Sequence, residues 1–321
     1  MLRYAILGTG AVGGYYGGKL AKAGADVRFL ARSDAHYVRQ NGLKIDSPAG
    51  SFHLDQVSVA TDPAELGPVD VVIVAWKATS NNHLATALPP LVDHNTTVFV
   101  LQNGLNVEQD ALDHMKSGQL LGGCCFLCSN KVGPGHIKHL DYGRIHFGEY
   151  RPTKNPDRIT SFGLRDVDNL ERQLAIAHDL EMAGIENKLV GDLAKTRWQK
   201  LMWNIPFNGL SVVLDADTSE IMANTHSRSL AERLMKEVQH AAKACGIEVS
   251  DEFQQKMMHD TDKMVPYASS MLLDYRNKRP MEIDAIFGNV VQAGLEAGFT
   301  PLLIQSLTDQ LKFINSRNLS A

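Results

Sequence analysis

RYAILGTGAVGGYYGGKLAKAGADVRFLAR, residues 3–32, decides the fold. RYAILG (3–8) has the pattern of a short apolar strand, and GTGAVG (8–13) follows it at once. GGYYGGKLAKAG (13–24) is compatible with a helix, and VRFLAR (27–32) is a second strand. Glycine-rich hexamers are common, but one set between a strand and a helix, with a second strand at this distance, marks a dinucleotide-binding βαβ unit. Gly8 permits the tight turn, Gly10 lets the backbone approach a pyrophosphate, and Gly13 lets helix and sheet pack closely. The N–H groups of Thr9, Ala11, Val12 and their neighbours at the helix start then face the anion.

The end of the second strand bears on the cofactor. A unit selective for NAD carries Asp or Glu there, bonded to the ribose 2′-hydroxyl. Here the strand ends in Ala31-Arg32-Ser33, with Arg32 placed 19 residues after Gly13. A guanidinium suits a 2′-phosphate, which a carboxylate would repel. NADPH/NADP+ is therefore the expected cofactor, with a plain surface arginine as the alternative. Further on, VDVVIVAW (69–76) and TTVFVLQNG (96–104) are β-branched runs of the kind found in strands buried on both faces. Ligands of open α/β sheets bind outside the carboxyl ends of the strands. Lys77 and Asn103 are expected there. Three short strands are expected near 119–128, 135–139 and 143–148, then a helix over 169–184 and a strand at IENKLV (185–190).

After Gly191 the texture becomes helical. Segments 193–214, 217–224, 227–245, 250–260, 266–276, 280–297 and 301–316 read as helices, with Gly246 and Gly298 placed as C-caps. The expected class is α/β, with an N-terminal Rossmann-type doubly wound parallel sheet over 1–192 and an all-α C-terminal domain over 193–321. In the first helix Lys200, Asn204 and Asn208 stand at i, i+4 and i+8, on one face flanked by Trp203 and Phe207. Such a row is either a solvated stripe or the wall of a polar pocket. Pro206 removes one backbone bond from that helix and is expected to kink it. Glu282 opens another helix, whose apolar face is Ile283, Ile286 and Val290; a first-turn glutamate also has a plain role against the helix dipole.

The chain has 321 residues, with 21% charged, 44% hydrophobic and a net charge of -4. That composition is of the globular class and gives no electrostatic reason to expect nucleic acid or a membrane surface as partner. The most apolar run, VDVVIVAW, is far shorter than the roughly 20 residues of a membrane span. The N-terminus is not patterned as a signal peptide, so a cytoplasmic setting is expected. Cys125-x-x-Cys128 beside Cys124 has redox or zinc spacing, but LGGCCFLC (121–128) reads as a buried strand with structural thiols, and no metal is expected.

The motifs together resemble the 2-dehydropantoate 2-reductases, or ketopantoate reductases, over nearly the whole chain. The resemblance rests on GTGAVG, Arg32, AWK ending at Lys77, QNG (102–104), GPGHIKH (133–139), WQKLxxNxxxN (198–208), SSMLLD (269–274) and EIDAIFGNVV (282–291). It implies a Rossmann domain holding NADPH and a helical domain for the substrate. It implies Lys200 as general acid, and Lys200, Asn204, Asn208, Ser270 and Asn103 as contacts of a 2-oxo acid. It also implies Glu282 beside the cofactor in the acid–base network, with Lys77 and Asn103 along the nicotinamide side. Several members have asparagine three residues before the second serine of SSM, where this chain has Tyr267, and GLSVVLDADT (209–218) is also atypical. The expected reaction is reduction of 2-dehydropantoate to pantoate. The alternatives are reduction of another 2-oxo acid or small carbonyl compound, and an NADPH-binding regulator without turnover. The expected partner is a small-molecule 2-oxo acid, with a homodimer as the assembly to test.

Overall fold

The computed structural model describes residues 1–152 and 169–320. The chain divides into two compact units, one of residues 1–102 and 107–193 and one of residues 103–106 and 194–321.

The first unit is built on one sheet of ten strands: β1 (Arg3–Leu7), β2 (Asp26–Leu30), β3 (Leu43–Asp46), β4 (Phe52–Leu54), β5 (Ser58–Ala60), β6 (Val71–Val74), β7 (Thr97–Val100), β8 (Gln119–Gly133), β9 (His136–Glu149) and β10 (Asn187–Leu189). Six of them run in the order β5-β2-β1-β6-β7-β8, every neighbouring pair parallel. This is the doubly wound arrangement, in which β1 and β6 flank the point where the strand order reverses. Val71, Val72 and Val74 are fully buried, as a strand covered on both faces requires.

The sheet then continues beyond the parallel part. The segment expected as three short strands is two long ones, β8 and β9, joined as an antiparallel hairpin with register shifts at Phe126/Leu127, Cys128/Ser129 and Lys131/Gly133. The shifts break the even alternation of buried and exposed residues, and this is why the segment reads as fragments. β3, β4 and β5 carry no run long enough to stand out in sequence. β3 leaves the neighbourhood of β2 to pair with β9, with β4 at its outer edge.

Helix α1 (Ala11–Lys22) shows why this extension forms. A Cβ on Gly17 would lie 2.7 Å from Phe29 and 2.9 Å from Ile6, on the parallel strands. A Cβ on Gly14 would lie 2.8 Å from Ile137, and one on Gly18 2.8 Å from Ile45, on the extension. The two glycine pairs of GGYYGG thus let both parts of the sheet close directly onto the helix backbone. Each costs roughly 0.5–1 kcal/mol of helix propensity, offset by the packing of Tyr16, Leu20, Phe29, Ile45 and Ile137, all fully buried in this core.

The second unit is helical. Its helices are Leu193–Val213, Thr218–Ala223, Thr225–Ala244, Asp251–Asp262, Ser270–Arg276, Asn289–Glu296 and Leu302–Ser320. Leu193–Val213 is helical without a break and holds Pro206 in its interior. The helix expected from 266 starts only at Ser270, capped by Ser269. The stretch expected as one helix from 280 instead opens with a π-helical turn, Asp284–Gly288. Gly246 and Gly298 take φ of +81° and +80° and end their helices as expected. The core gathers Trp198, Leu201, Ile205, Phe207, Met235, Phe287, Val290 and Leu311. Among the described residues no helix is long and apolar enough to cross a membrane.

Candidate active site

In the first unit the strand–turn–helix at Gly8–Gly13 has the shape its glycines predict. Gly8 has φ +103°, and a Cβ there would lie 2.7 Å from the backbone N of Trp76. A Cβ on Gly13 would lie 2.1 Å from the Gly8 carbonyl oxygen. Gly10 differs, since a Cβ there would meet nothing within 4 Å. The backbone at Gly10 therefore faces open space, the approach a pyrophosphate needs. Gly10 is also the N-cap of α1, with no side-chain cap bond and no acidic residue in the first turn. The dipole and the first-turn N–H groups, Ala11 and Val12 among them, are left to an anion. Thr9 is buried, its hydroxyl turned to the Leu30 carbonyl at 3.4 Å. These residues fit a dinucleotide.

The same turn forms one wall of a cavity of about 270 Å³, whose lining includes Gly8, Gly10, Arg32, Ser33, His83 and Lys131. Arg32 is exposed but held. Its Nη1 donates to Nε2 of His83 at 3.0 Å, and its Nη2 donates to Ser80 Oγ at 3.3 Å. Both acceptors lie on the 3₁₀ turn Ala78–His83, and Lys77 is the N-cap of that turn, half-buried with extended backbone.

A buried polar knot secures this turn, and sequence reasoning missed it. Asn81 Nδ2 donates to Asp110 Oδ2 at 2.7 Å, and Gln102 Nε2 donates to Asn81 Oδ1 at 2.7 Å and to the Trp76 carbonyl at 3.0 Å. Trp76 Nε1 donates to Asn81 Oδ1 at 3.0 Å. Asn81 and Gln102 are only 7% and 4% exposed, so the bond between them is made away from water, where an unmade one is costly. The available signal was Gln102 itself, a carboxamide ending an apolar strand run.

In the second unit, Lys200, Asn204 and Asn208 do not form a solvated stripe. Lys200 is half-buried, and Asn204 and Asn208 are 5% and 2% exposed. Lys200 Nζ donates to Asn103 Oδ1 at 2.7 Å. Asn103 was expected at a strand end of the first domain. It belongs instead to the segment 103–106 that groups with the helices. The reason is local: Leu105 N–H donates to the Ala285 carbonyl at 2.9 Å, and Asn289 Nδ2 donates to the Leu105 carbonyl at 2.7 Å. Gly104, at φ +121°, allows the approach, since a Cβ there would lie 2.5 Å from the Ala285 oxygen. Ala285 is in the π-helical turn, which also holds the fully buried Phe287. Glu282, 9% exposed, stands two residues before this turn. The π geometry thus directs the carbonyl that docks the Asn103 segment, which places Asn103 on Lys200.

The polar face of the lysine helix continues past the expected residues. Ser211 Oγ donates to the Asn208 carbonyl at 3.0 Å and lies 2.6 Å from Ser269 Oγ, which accepts the Leu272 N–H at 3.1 Å. The bonds run in one sense, Leu272 N–H to Ser269, Ser269 to Ser211, Ser211 to Asn208. Ser211 and Ser269 are both fully buried, whereas Ser270, the expected contact, is exposed in the first turn of its helix. Asn208 Oδ1 meets no donor among the described residues. Tyr267 is half-buried, its N–H donating to Thr218 Oγ1 and its carbonyl accepting the Thr218 N–H, each at 3.1 Å. Cys124, Cys125 and Cys128 are buried thiols of β8, none of them in a disulfide among the described residues.

Two family models match the chain: Ketopantoate reductase PanE/ApbA over residues 4–152, and Ketopantoate reductase PanE/ApbA C terminal over 192–315. A curated 2-dehydropantoate 2-reductase from Nostoc is 48% identical over 316 residues, covering 98% of this chain and 96% of the relative. The crystal structure of a 2-dehydropantoate 2-reductase from Geobacter metallireducens superposes with a TM-score of 0.88 at 36% identity, covering 98% of this chain and 99% of that one. A ternary structure of D-mandelate dehydrogenase with NADH and anilino(oxo)acetate gives a TM-score of 0.87 at 20% identity, covering 98% and 99%, a likeness of fold alone.

Proposed function

The chain belongs to the ketopantoate reductase family, and on that premise we propose that it reduces 2-dehydropantoate to (R)-pantoate with NADPH, a step towards pantothenate and coenzyme A. The observation that carries the chemistry is the Lys200–Asn103 bond of 2.7 Å, at the head of a row of buried carboxamides.

NADPH, when bound, supplies the hydride. Residues 1–192 serve as its domain: Gly8, Thr9, Gly10, Ala11, Val12 and Gly13 take the pyrophosphate on backbone N–H groups, and Arg32 takes the 2′-phosphate. Lys77, Asn103 and Glu282 are the further cofactor contacts. The open space at Gly10 and the uncapped start of α1 support this assignment.

Residues 193–321 serve as the substrate domain. Reduction of a ketone places negative charge on its oxygen, so a proton donor must stand there. Lys200 is that donor. It stabilises the developing charge before giving up the proton, and Asn103 fixes its direction by accepting one of its N–H bonds. Asn204 and Asn208 orient the oxygens of the substrate without adding charge, as neutral groups with both donor and acceptor atoms can. The lone acceptor of Asn208 suits a hydroxyl donor. Ser270 contacts the carboxylate. Glu282 acts on the acid–base balance of Lys200.

The test is NADPH oxidation with 2-dehydropantoate beside a panel of 2-oxo acids, in wild type and Tyr267→Asn. The highest kcat/KM for 2-dehydropantoate supports the proposal. A clear preference for another 2-oxo acid, reversed by Tyr267→Asn, overturns it in favour of a related reductase. A homodimer in the cytoplasm completes the proposal, and light scattering on the purified protein tests the assembly.

A further inference from the structure

The cofactor cavity contains a carboxylate as well as Arg32. Asp34 is two residues past Arg32 and lines the same cavity. An acid just past β2 favours an unphosphorylated ribose and opposes a 2′-phosphate. The chain therefore carries two opposing signals within three residues. The structure also shows what lies against the second one.

Asp34 is 5% exposed, and each of its oxygens is engaged. Oδ1 accepts from Ser33 Oγ at 3.0 Å. Oδ2 accepts the Gly135 N–H at 3.1 Å and stands 2.5 Å from Lys131 Nζ. Lys131 and Gly135 belong to the tip of the β8–β9 hairpin, well beyond the residues of β8 that pair in parallel with β7. The tip is fixed in turn by Lys44 N–H donating to the Gly135 carbonyl at 2.8 Å, through the β3–β9 pairing. Burial pushes the Asp34 carboxyl up, but Lys131, the Gly135 N–H and Ser33 together hold it below the usual carboxylate range. It is therefore a carboxylate at neutral pH. Lys131 remains partly exposed, 29% for its side chain, and lines the cavity itself.

We propose that Lys131 is a coenzyme-selectivity residue: it cancels the Asp34 charge at the wall of the cavity, so that the phosphate-bearing ribose is admitted and Arg32 decides the choice. This rests on the NADPH assignment above. In the same frame the hairpin extension has a task beyond packing, since it delivers a cation to a site whose other residues all come from the parallel part. Lys131 contributes little to NADH binding, because a ribose hydroxyl is neutral and a nearby carboxylate can accept its hydrogen.

The experiment is a set of calorimetric titrations of NADPH and NADH into wild type, Lys131→Met, Asp34→Asn and the double variant, with melting temperatures. Lys131→Met keeps the stem and deletes the charge. Its dissociation constant for NADPH is expected to rise on the order of ten- to a hundred-fold, the range for loss of a charge-assisted interaction, with NADH unchanged or tighter. Asn at position 34 keeps an acceptor for Gly135, and the double variant is expected to regain most of the preference for NADPH. Equal weakening of both cofactors in Lys131→Met, with a lowered melting temperature and no rescue in the double variant, overturns the proposal in favour of a hairpin strut. A wild type that prefers NADPH while Lys131→Met keeps that preference overturns this proposal alone. A wild type without preference for NADPH overturns the cofactor assignment together with it.

Discussion

Replacing Asn208 with leucine should raise stability and lower activity at once. Asn208 is 2% exposed and its Oδ1 meets no donor among the described residues. A buried acceptor left unsatisfied costs about 1–3 kcal/mol. Leucine keeps the branching and the number of heavy atoms, its methyl groups being larger than the carboxamide they replace, and where the neighbours repack such a swap costs less than about 1.5 kcal/mol. The balance favours the variant by roughly 1 kcal/mol, or about 2–4 °C in Tm for a unit of this size. In the proposed reaction the substrate supplies the missing donor. Removing the acceptor forfeits that bond and strands a polar substrate group in an apolar wall, roughly 1–3 kcal/mol or one to two orders of magnitude in kcat/KM. Differential scanning calorimetry without ligands gives the first quantity, and steady-state kinetics at saturating NADPH the second. The NADPH dissociation constant serves as control and should not move. A lowered Tm with kcat/KM intact would refute the reasoning, since Asn208 would then be a structural residue whose partner is a buried water.

Lys200→Met should lower kcat by roughly 10²–10⁴-fold in single-turnover reduction, with cofactor affinity and Tm little changed; near-normal turnover would remove Lys200 as the acid. Arg32→Ala should weaken NADPH by about one to two orders of magnitude, as loss of a charge-assisted contact does, and leave NADH unaffected in the same titration. Acid unfolding should respond to Lys131. Because the folded Asp34 carboxyl is held below its ordinary value, it contributes stability above the unfolded pKa, about 3.9, and loses it as pH falls through the folded value. Lys131→Met removes the largest of the lowering causes and leaves burial, which raises. The acid limb of a Tm-against-pH series between pH 5 and 3 should then shift upward. Coincident limbs would show that the pair does not stabilise the fold.

In the parallel half, β1, β2, β6 and β7 were legible because each is a short apolar run closely followed by a glycine or a polar residue. What escaped was set by contacts remote in sequence. β3 has four residues, LKID, with no distinguishing pattern; it is a strand because β9 offers it an edge. β9 offers that edge because α1 lacks side chains at Gly14 and Gly18, where Ile137 and Ile45 sit. The GGYYGG repeat was visible in the sequence. Its meaning, a helix covered on two sides, requires knowing what covers it.

The candidate site divides along the same line, and the division explains why Asn103 was placed in the wrong unit. Lys200, Asn204 and Asn208 share a helix face, and helical period alone brings them together. Asn103 joins Lys200 through backbone geometry that no side-chain pattern encodes. Leu105 N–H reaches the Ala285 carbonyl only because the turn at 284–288 is π-helical, and it reaches it closely only because residue 104 is glycine. A π turn adds a residue to the helical repeat and redirects a carbonyl without changing the apolar face, so Ile283, Ile286 and Val290 look the same in either geometry. Gly104 has the same ambiguity, since Asn-Gly after a strand ordinarily signals a surface turn. Both features acquire their meaning together, as the two sides of one docking contact. The consequence is that the hydrogen-bond acceptor aimed at the candidate acid is carried by the first unit's sequence but held by the second unit's fold. Gly104→Ala, which leaves Lys200, Asn204, Asn208 and Glu282 untouched, should therefore depress kcat by displacing Asn103, with NADPH affinity preserved. Unchanged kcat in a variant of unchanged Tm would show that the Asn103–Lys200 bond does not position the acid.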